Sequence, residues 1–481
     1  MRRSRGSLLP PIRAPRIRRR DVYATLRGAV LDGVLHPGER LPSTRLAAKD
    51  YGVSRGMMEE AYAELVEEGL LERAVGRGTF VAARAVHLPD RRARALSLSR
   101  SALSPRGRSL VEDAACREPE ALRPFNAGVA DTREFPWRVW HRLQARASRD
   151  LAEAGLGFAD PRGLPALRQA IARYLSAFRG LACAPDQVVV FNSSQQAIFA
   201  VATLLLDRGD QAWIEDPCYL GARAALDLAG VKAIPVPVDA DGLRIDVGIR
   251  RAVRARLVYV TPSHQYPTGV TLALERRLAL LDWAAGSRTW ILEDDYDGEF
   301  RYTGRPLPPL ASLGSRARVL YLGTLSKAMF VSLRLAYLVV PEALVEPVAN
   351  LRTQLDGFTP ALAQKTMTLF LDEGYFAPHL RRMRTIYGAK HAALVDGLAP
   401  LAPLGWTWSE QGAGFHLLVS HPDTRTVRAT AAASRLDLAR LARYRVRPGR
   451  GDGLLLRFGG LEMGAVKSGA RALVRAAAAS V

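Results

Sequence analysis

Residues 289–335 read TWILEDDYDGEFRYTGRPLPPLASLGSRARVLYLGTLSKAMFVSLRL and hold two short apolar runs, each carrying reactive side chains to its far end. Trp290-Ile291-Leu292 leads into Glu293-Asp294-Asp295 and then Tyr296. Val319-Leu320-Tyr321-Leu322 leads into Gly323-Thr324-Leu325-Ser326-Lys327, with Arg334 a little further on. Apolar runs this short, bounded by turn signals, predict buried strands of a parallel sheet. Such sheets bind ligands beyond the carboxyl ends of their strands. A lysine, a carboxylate and a hydroxyl-rich turn on neighbouring strand ends is the set that pyridoxal phosphate (PLP) requires. The amine forms a Schiff base with the aldehyde, and the carboxylate keeps the pyridine nitrogen protonated. Thr324, Ser326 and Arg334 are then placed to hold the phosphate. Taken alone, a lysine is most often a solvated charge and acids near strand ends often cap helices, so the chemistry by itself leaves both readings open.

Working outward, NSSQQA follows the apolar run VVVF and opens a helix, which puts Ser194, Gln195 and free backbone amides at the helix's positive end, where phosphate binds. The blocks NSSQQA, SHQYPTG, EDDYDGEFRY and GTLSKAMFVSLRLAYLV occur in that order. Together they resemble the fold type I aminotransferase domain of MocR-type regulators, a branch of the GntR family. The resemblance implies Lys327 as the Schiff-base lysine, Asp294 as the partner of the pyridine nitrogen and Tyr219 as the ring that stacks on the cofactor. Tyr266 stands where ordinary aminotransferases carry an asparagine, which leaves Tyr296 to bond the cofactor's phenolic oxygen. Phe158, Ser193, Val331 and Ala336 depart from the family's usual tyrosine, glycine, proline and glycine. Ser193 is then expected to adopt backbone angles suited to glycine. The enzymes hold a substrate carboxylate with an arginine at the position of Leu455. Arg457 lies two residues on, on the same face of a strand but about 7 Å away, so it aims at the pocket from a displaced spot. Arg457 is the leading candidate effector contact, with Arg223 and Arg445 lesser ones that read more often as surface charges.

The amino-terminal part carries a different pattern. Val22, Leu26, Ala29 and Val30 recur on one helical face after Asp21, a candidate cap. Ser43 caps a short second helix closed by Gly52. Ser54 caps a third with Met58, Ala61, Tyr62, Leu65 and Val66 on one face, and the segments flanking Gly76-Arg77-Gly78 form a hairpin. Two short helices across a glycine turn, then a hairpin, describe a winged helix-turn-helix. LHPGERLPSTRLAAKDYGVSR and AYAELVEEGLLERAVGRGTFV resemble the GntR-type DNA-binding domain. In that geometry the third helix offers Ser54, Arg55 and Met57 to the major groove. Ser43, Thr44 and Arg45 hold backbone phosphate, and Arg77 at the wing tip meets phosphate or the minor groove. Glu59 and Glu60 are expected to face away from DNA or to repel wrong contacts. Gly56 removes one probable base contact.

A chain of 481 residues exceeds one small domain, and a formal charge of +21 points to a polyanionic partner, nucleic acid before membrane. Three scattered cysteines, Cys116, Cys183 and Cys218, argue for a reducing, cytoplasmic setting without disulfides or a metal site. No run is long enough to span a bilayer. The expected organisation is a disordered basic tail (1–15), the DNA-binding domain (16–84) and a flexible arginine-rich linker (85–121). An α/β domain (122–481) follows, with a mostly parallel sheet and a small α+β subdomain from about 342. The reading is a PLP-binding transcriptional regulator, a homodimer on double-stranded DNA that senses an amino compound or PLP itself. A genuine aminotransferase with an accessory head and a cofactor-free regulator are the alternatives.

Overall fold

The structure, a computed structural model, describes residues 9–12, 17–83, 103–112, 123–126, 128–155, 157, 159–302, 304, 307–314, 318–409 and 412–480. The expectations for most of the basic tail, for most of the linker and for Phe158 lie outside the described residues. The chain divides into two compact units, Met1–Arg108 and Ser109–Val481.

In the first unit, helices Arg19–Leu31, Thr44–Tyr51 and Arg55–Glu67 precede strands β1 (Leu71–Ala74) and β2 (Gly78–Val81), which pair antiparallel. Ser43 accepts the Leu46 N–H, Ser54 accepts the Met57 N–H, and Gly52 ends the second helix at φ 66°. Those caps satisfy amides that the helix leaves unpaired. Val22, Leu26, Ala29 and Val30 are buried against Met58, Ala61, Tyr62 and Leu65. Asp21 is not the cap: the first helix starts earlier, and Asp21 takes the Arg18 N–H from its third position at 2.8 Å. Leu9, assigned above to a disordered tail, is buried in this core, and Tyr51 donates to the Pro10 carbonyl at 2.7 Å. Pro105–Glu112, in the connector read as irregular, is helical, with Ser104 Oγ accepting the Gly107 N–H at 2.9 Å.

The second unit is built on β3 (Val188–Phe191), β4 (Gln211–Asp216), β5 (Lys232–Asp239), β6 (Gly242–Leu243), β7 (Leu257–Val260), β8 (Trp290–Asp295), β9 (Arg318–Thr324) and β10 (Ala336–Val339). Their order in the sheet is β3-β10-β9-β8-β7-β4-β5-β6. Strands β9, β8, β7, β4 and β5 are parallel, whereas β10 runs antiparallel between β3 and β9. Side chains alternate between the two faces: Val189 and Phe191 join one apolar cluster, Val188 and Val190 another. Gly163 makes the turn before helix Pro165–Tyr174 at φ 99°, where a Cβ would sit 2.6 Å from Val190 Cγ2 on β3. The smaller sheet, ordered β11-β12-β14-β13, comprises β11 (Thr407–Trp408), β12 (His416–His421), β13 (Ala439–Arg440) and β14 (Asp452–Arg457). Helix Thr424–Ser434 packs on it, and helix Met463–Ala478 packs on that helix.

One buried ion pair secures the end of β8. Arg179 binds the Asp295 carboxylate and donates to the Gly298 carbonyl at 3.1 Å, while the Tyr321 hydroxyl reaches Asp295 at 2.7 Å. Both charged side chains are 2% exposed, so removing one strands the other away from water. Arg179→Met is expected to cost about 3–5 kcal/mol in urea unfolding, and Arg179→Met with Asp295→Leu to recover much of that loss. A single variant as stable as the wild type would contradict this.

Candidate functional site

Strand β8 sorts the acidic cluster by its two-residue period. Glu293 turns to one side and caps a short helix, accepting Leu310 N–H at 2.9 Å and Ala311 N–H at 3.0 Å. Asp295 engages Arg179. Asp294 faces a cavity of about 240 Å³ beyond the strand ends. Its Oδ2 accepts from the Tyr259 hydroxyl at 2.6 Å, and its Oδ1 is buried without a hydrogen-bond partner. Burial, opposed by the Tyr259 bond, pushes the Asp294 carboxyl up to about 7.

From the adjacent β9 come Thr324, Ser326 and Lys327, and the Lys327 amine donates to the Gly128 carbonyl at 2.6 Å. Ser194 and Gln195 open helix Ser194–Leu205 directly after β3. Ser193 caps that helix through Gln196 N–H at φ −166°. That is ordinary extended backbone, so no glycine-like angle is needed there, contrary to the expectation. Arg334, exposed, stands in the left-handed region at φ 53°, which holds its side chain at the cavity rim. Ser194, Gln195, Tyr219, Asp294, Tyr296, Thr324, Ser326, Lys327 and Arg334 all line this one cavity, and so does Arg457.

Arg457 ends β14, with Leu455 two residues back, buried against Leu418, Leu441 and Tyr444. The Arg457 guanidinium donates to the Asn126 carbonyl at 2.6 Å, to Tyr266 Oη at 3.0 Å and to the Tyr444 hydroxyl. The expected displacement of this arginine therefore does not remove it from the pocket. Arg223 is not among the lining residues, and Arg445 bonds the Gly451 and Arg450 carbonyls instead. Sequence reasoning missed Tyr259, Thr261, Phe415 and His416, which also line the cavity. Tyr259 sits inside the apolar run LVYV, whose alternation was its one available signal. Also unanticipated is a buried group with metal-ligand chemistry, His264, Asp297 and His416.

On the first unit, Ser54, Arg55, Ser43, Arg45 and Arg77 are exposed, Thr44 and Met57 half-buried. Glu59 pairs with Arg55 at 2.9 Å on the same helical face and lies 3.5 Å from Thr44 Oγ1, which fits the second of its expected roles. Glu60 does turn aside, toward Arg19 at 3.8 Å.

Comparison with known proteins matches residues 129–460 to the aminotransferase class I and II family, and residues 18–81 to the bacterial regulatory proteins of the gntR family. The probable rhizopine catabolism regulatory protein MocR of Rhizobium meliloti is 38% identical over 403 residues, covering 83% of this chain and 80% of that protein. The HTH-type transcriptional regulator TauR of Rhodobacter capsulatus is 35% identical, covering 77% of each. Among solved structures, LysN, an alpha-aminoadipate aminotransferase of Thermus thermophilus complexed with N-(5'-phosphopyridoxyl)-L-leucine, is 25% identical. It superposes with a TM-score of 0.72 over 80% of this chain and 99% of that one.

Glu215, Glu293, Asp294 and Glu299 are each pushed up to about 7, foremost by burial. Folded protein keeps these protons between about pH 4 and pH 7, where the unfolded chain has lost them, so stability falls as pH rises through that window. With no small molecule added, Asp294→Asn removes one contribution. Its Tm should fall less steeply than that of the wild type between about pH 5 and pH 7; parallel slopes would contradict the assignment.

Proposed function

The chain belongs to the MocR-type branch of the gntR family, and on that premise we propose that it is a DNA-binding transcriptional regulator that binds PLP on Lys327 and senses an amino compound, or PLP itself, in the same cavity. PLP supplies, when bound, an aldehyde open to amines and an electron-drawing pyridinium ring. The observation that carries the reading is the buried, unpartnered Asp294 Oδ1 in the cavity that holds the Lys327 amine. That oxygen would accept a charge-assisted bond from a pyridinium N–H, which would keep the Asp294 carboxylate ionised. Tyr219 covers the ring face and Tyr296 bonds the phenolic oxygen. Ser194, Gln195 and the amides of their helix start hold phosphate with Thr324, Ser326 and Arg334. Arg457, with its fork of donors, takes the effector's anionic group.

In the head, the third helix enters the major groove with Ser54, Arg55 and Met57 foremost. Ser43, Thr44 and Arg45 hold phosphate, and Arg77 reaches from the wing. Arg55 exchanges Glu59 for a base or phosphate at small cost, since an exposed ion pair of this kind contributes about 0.3–0.5 kcal/mol. A cytoplasmic homodimer reading two half-sites completes the account. The functional divisions are those at 16–84, 85–121 and 122–481. An effector alters DNA binding only through different affinities for the two conformations of the dimer. A residual transaminase activity is the second reading, favoured by Arg457 sharing the cavity with Lys327. Steady keto acid formation from an amino acid is its signature.

Two measurements test this. Mixed with PLP and reduced with borohydride, the protein should carry a phosphopyridoxyl group on Lys327, and Lys327→Ala should carry none; absence of label on the wild type contradicts the cofactor assignment. In gel shifts with DNA from upstream of its own gene, Arg55→Ala should weaken specific binding by about tenfold or more. An unchanged shift would remove Arg55 from the recognition surface.

A further inference from the structure

Behind Tyr296, the contacts proposed for PLP leave His264, Asp297 and His416 unused, and all three are buried. His264 Nδ1 lies 2.8 Å from Asp297 Oδ2 and 3.1 Å from Tyr296 Oη. A neutral ring nitrogen offers either a hydrogen or a lone pair. A bare lone pair facing a carboxylate at 2.8 Å is repulsive, so Nδ1 carries the hydrogen and Asp297 accepts it. The phenol then has nothing to donate to at Nδ1. Its oxygen takes at most a share of the Nδ1 hydrogen, and its own proton turns to the cavity that Tyr296 lines.

We propose that Asp297 and His264 are positioning residues that aim the Tyr296 hydroxyl proton into the cavity, at the phenolic oxygen of bound PLP. The inference rests on the PLP reading above. Asp297 orients the imidazole, the imidazole occupies the back of the phenol oxygen, and the phenol becomes a committed donor.

The surroundings favour this over a metal centre. His416, its ring 4.8 Å from that of His264, is held neutral by burial first, with the Arg457 and Lys327 charges acting in the same direction. On the other side, Arg179 and Arg301 share a small cavity with His264, Asp297 and Ser263. Arg457 and Lys327 on one side and Arg301 on the other oppose a divalent ion among the three. Gly414 closes over the pair at φ 72°, and a Cβ there would sit 2.2 Å from His264 Cε1 and 2.5 Å from Asp297 Oδ2. The backbone is thus packed against the hydrogen bond itself.

The decisive variant is Asp297→Asn, which keeps the shape and removes the charge. With the negative charge gone, the amide N–H takes the Nδ1 lone pair, the hydrogen moves to Nε2, and the Tyr296 oxygen loses the imidazole N–H behind it, which weakens the phenol as a donor. In protein with no PLP added, nitrogen-15 NMR of the histidines should find His264 protonated on Nδ1 in the wild type and on Nε2 in Asp297→Asn. With PLP bound, the pH midpoint of the visible absorbance should rise by about one unit in Asp297→Asn, a tenfold change in acid dissociation, as it should in Tyr296→Phe and His264→Ala. His264→Asn, whose amide can stand in for Nδ1–H, should stay near the wild-type midpoint. A wild-type His264 protonated on Nε2, an Asp297→Asn midpoint equal to that of the wild type, or one tightly held zinc ion per chain would each overturn the proposal. If no absorbance forms with PLP, the function proposed above fails, and the tautomer measurement still decides this inference.

Discussion

A carboxylate held in the dry with one oxygen unpartnered is the constraint on which the larger unit turns. Burying an ionised group without compensation costs several kcal/mol, and Tyr259 compensates only one oxygen of Asp294. The protein keeps this arrangement at the carboxyl end of a central parallel strand, one strand away from Lys327. Parallel strands open their carboxyl ends together, and most of the remaining lining groups arrive from the ends of β3, β4, β7 and, from the second sheet, β12 and β14. An unsatisfied oxygen opposite an amine, with hydroxyls and a helix start on a third side, is a site prepared for a ligand that carries an N–H donor, an aldehyde and a phosphate.

Much of this was legible because the strand ends are short and punctuated. Asp294 and Lys327 each lie a few residues past the end of an apolar run, and the residues of NSSQQA follow VVVF, so position along the chain translated into position in the cavity. In the head, the apolar period and the two serine caps located the helices. What escaped had a physical reason in each case. Tyr259 is polar only at its tip and hides among valines and a leucine. Phe415 and His416 come from a sheet formed far along the chain, and no local pattern ties them to Lys327. Ser193 looked costly only because the family has glycine there, while the backbone lies in a region open to any residue. Leu9 and the helix Pro105–Glu112 show the limit of composition, since a basic, proline-containing stretch can still bury one leucine or cap one short helix.

The two units divide the work by the kind of interaction they use. The head presents exposed arginines and hydroxyls whose partners are exchangeable, which suits a surface that binds and releases a polyanion with salt-dependent affinity. The larger unit buries its charges and fixes them, which suits discrimination between small molecules. Regulation requires that these be coupled, and the coupling can be no larger than the ligand's preference for one conformation over the other.

The central claim is that Asp294 Oδ1 awaits a protonated ring nitrogen. Equilibrium binding of PLP and of its 1-deaza analogue, which replaces that nitrogen with carbon, tests it without recourse to DNA or effector. A charge-assisted bond of about 1.5–3 kcal/mol predicts that PLP binds roughly ten- to a hundredfold more tightly, and that the gap closes in Asp294→Ala. Equal affinity of the unaltered protein for the two compounds would contradict the account.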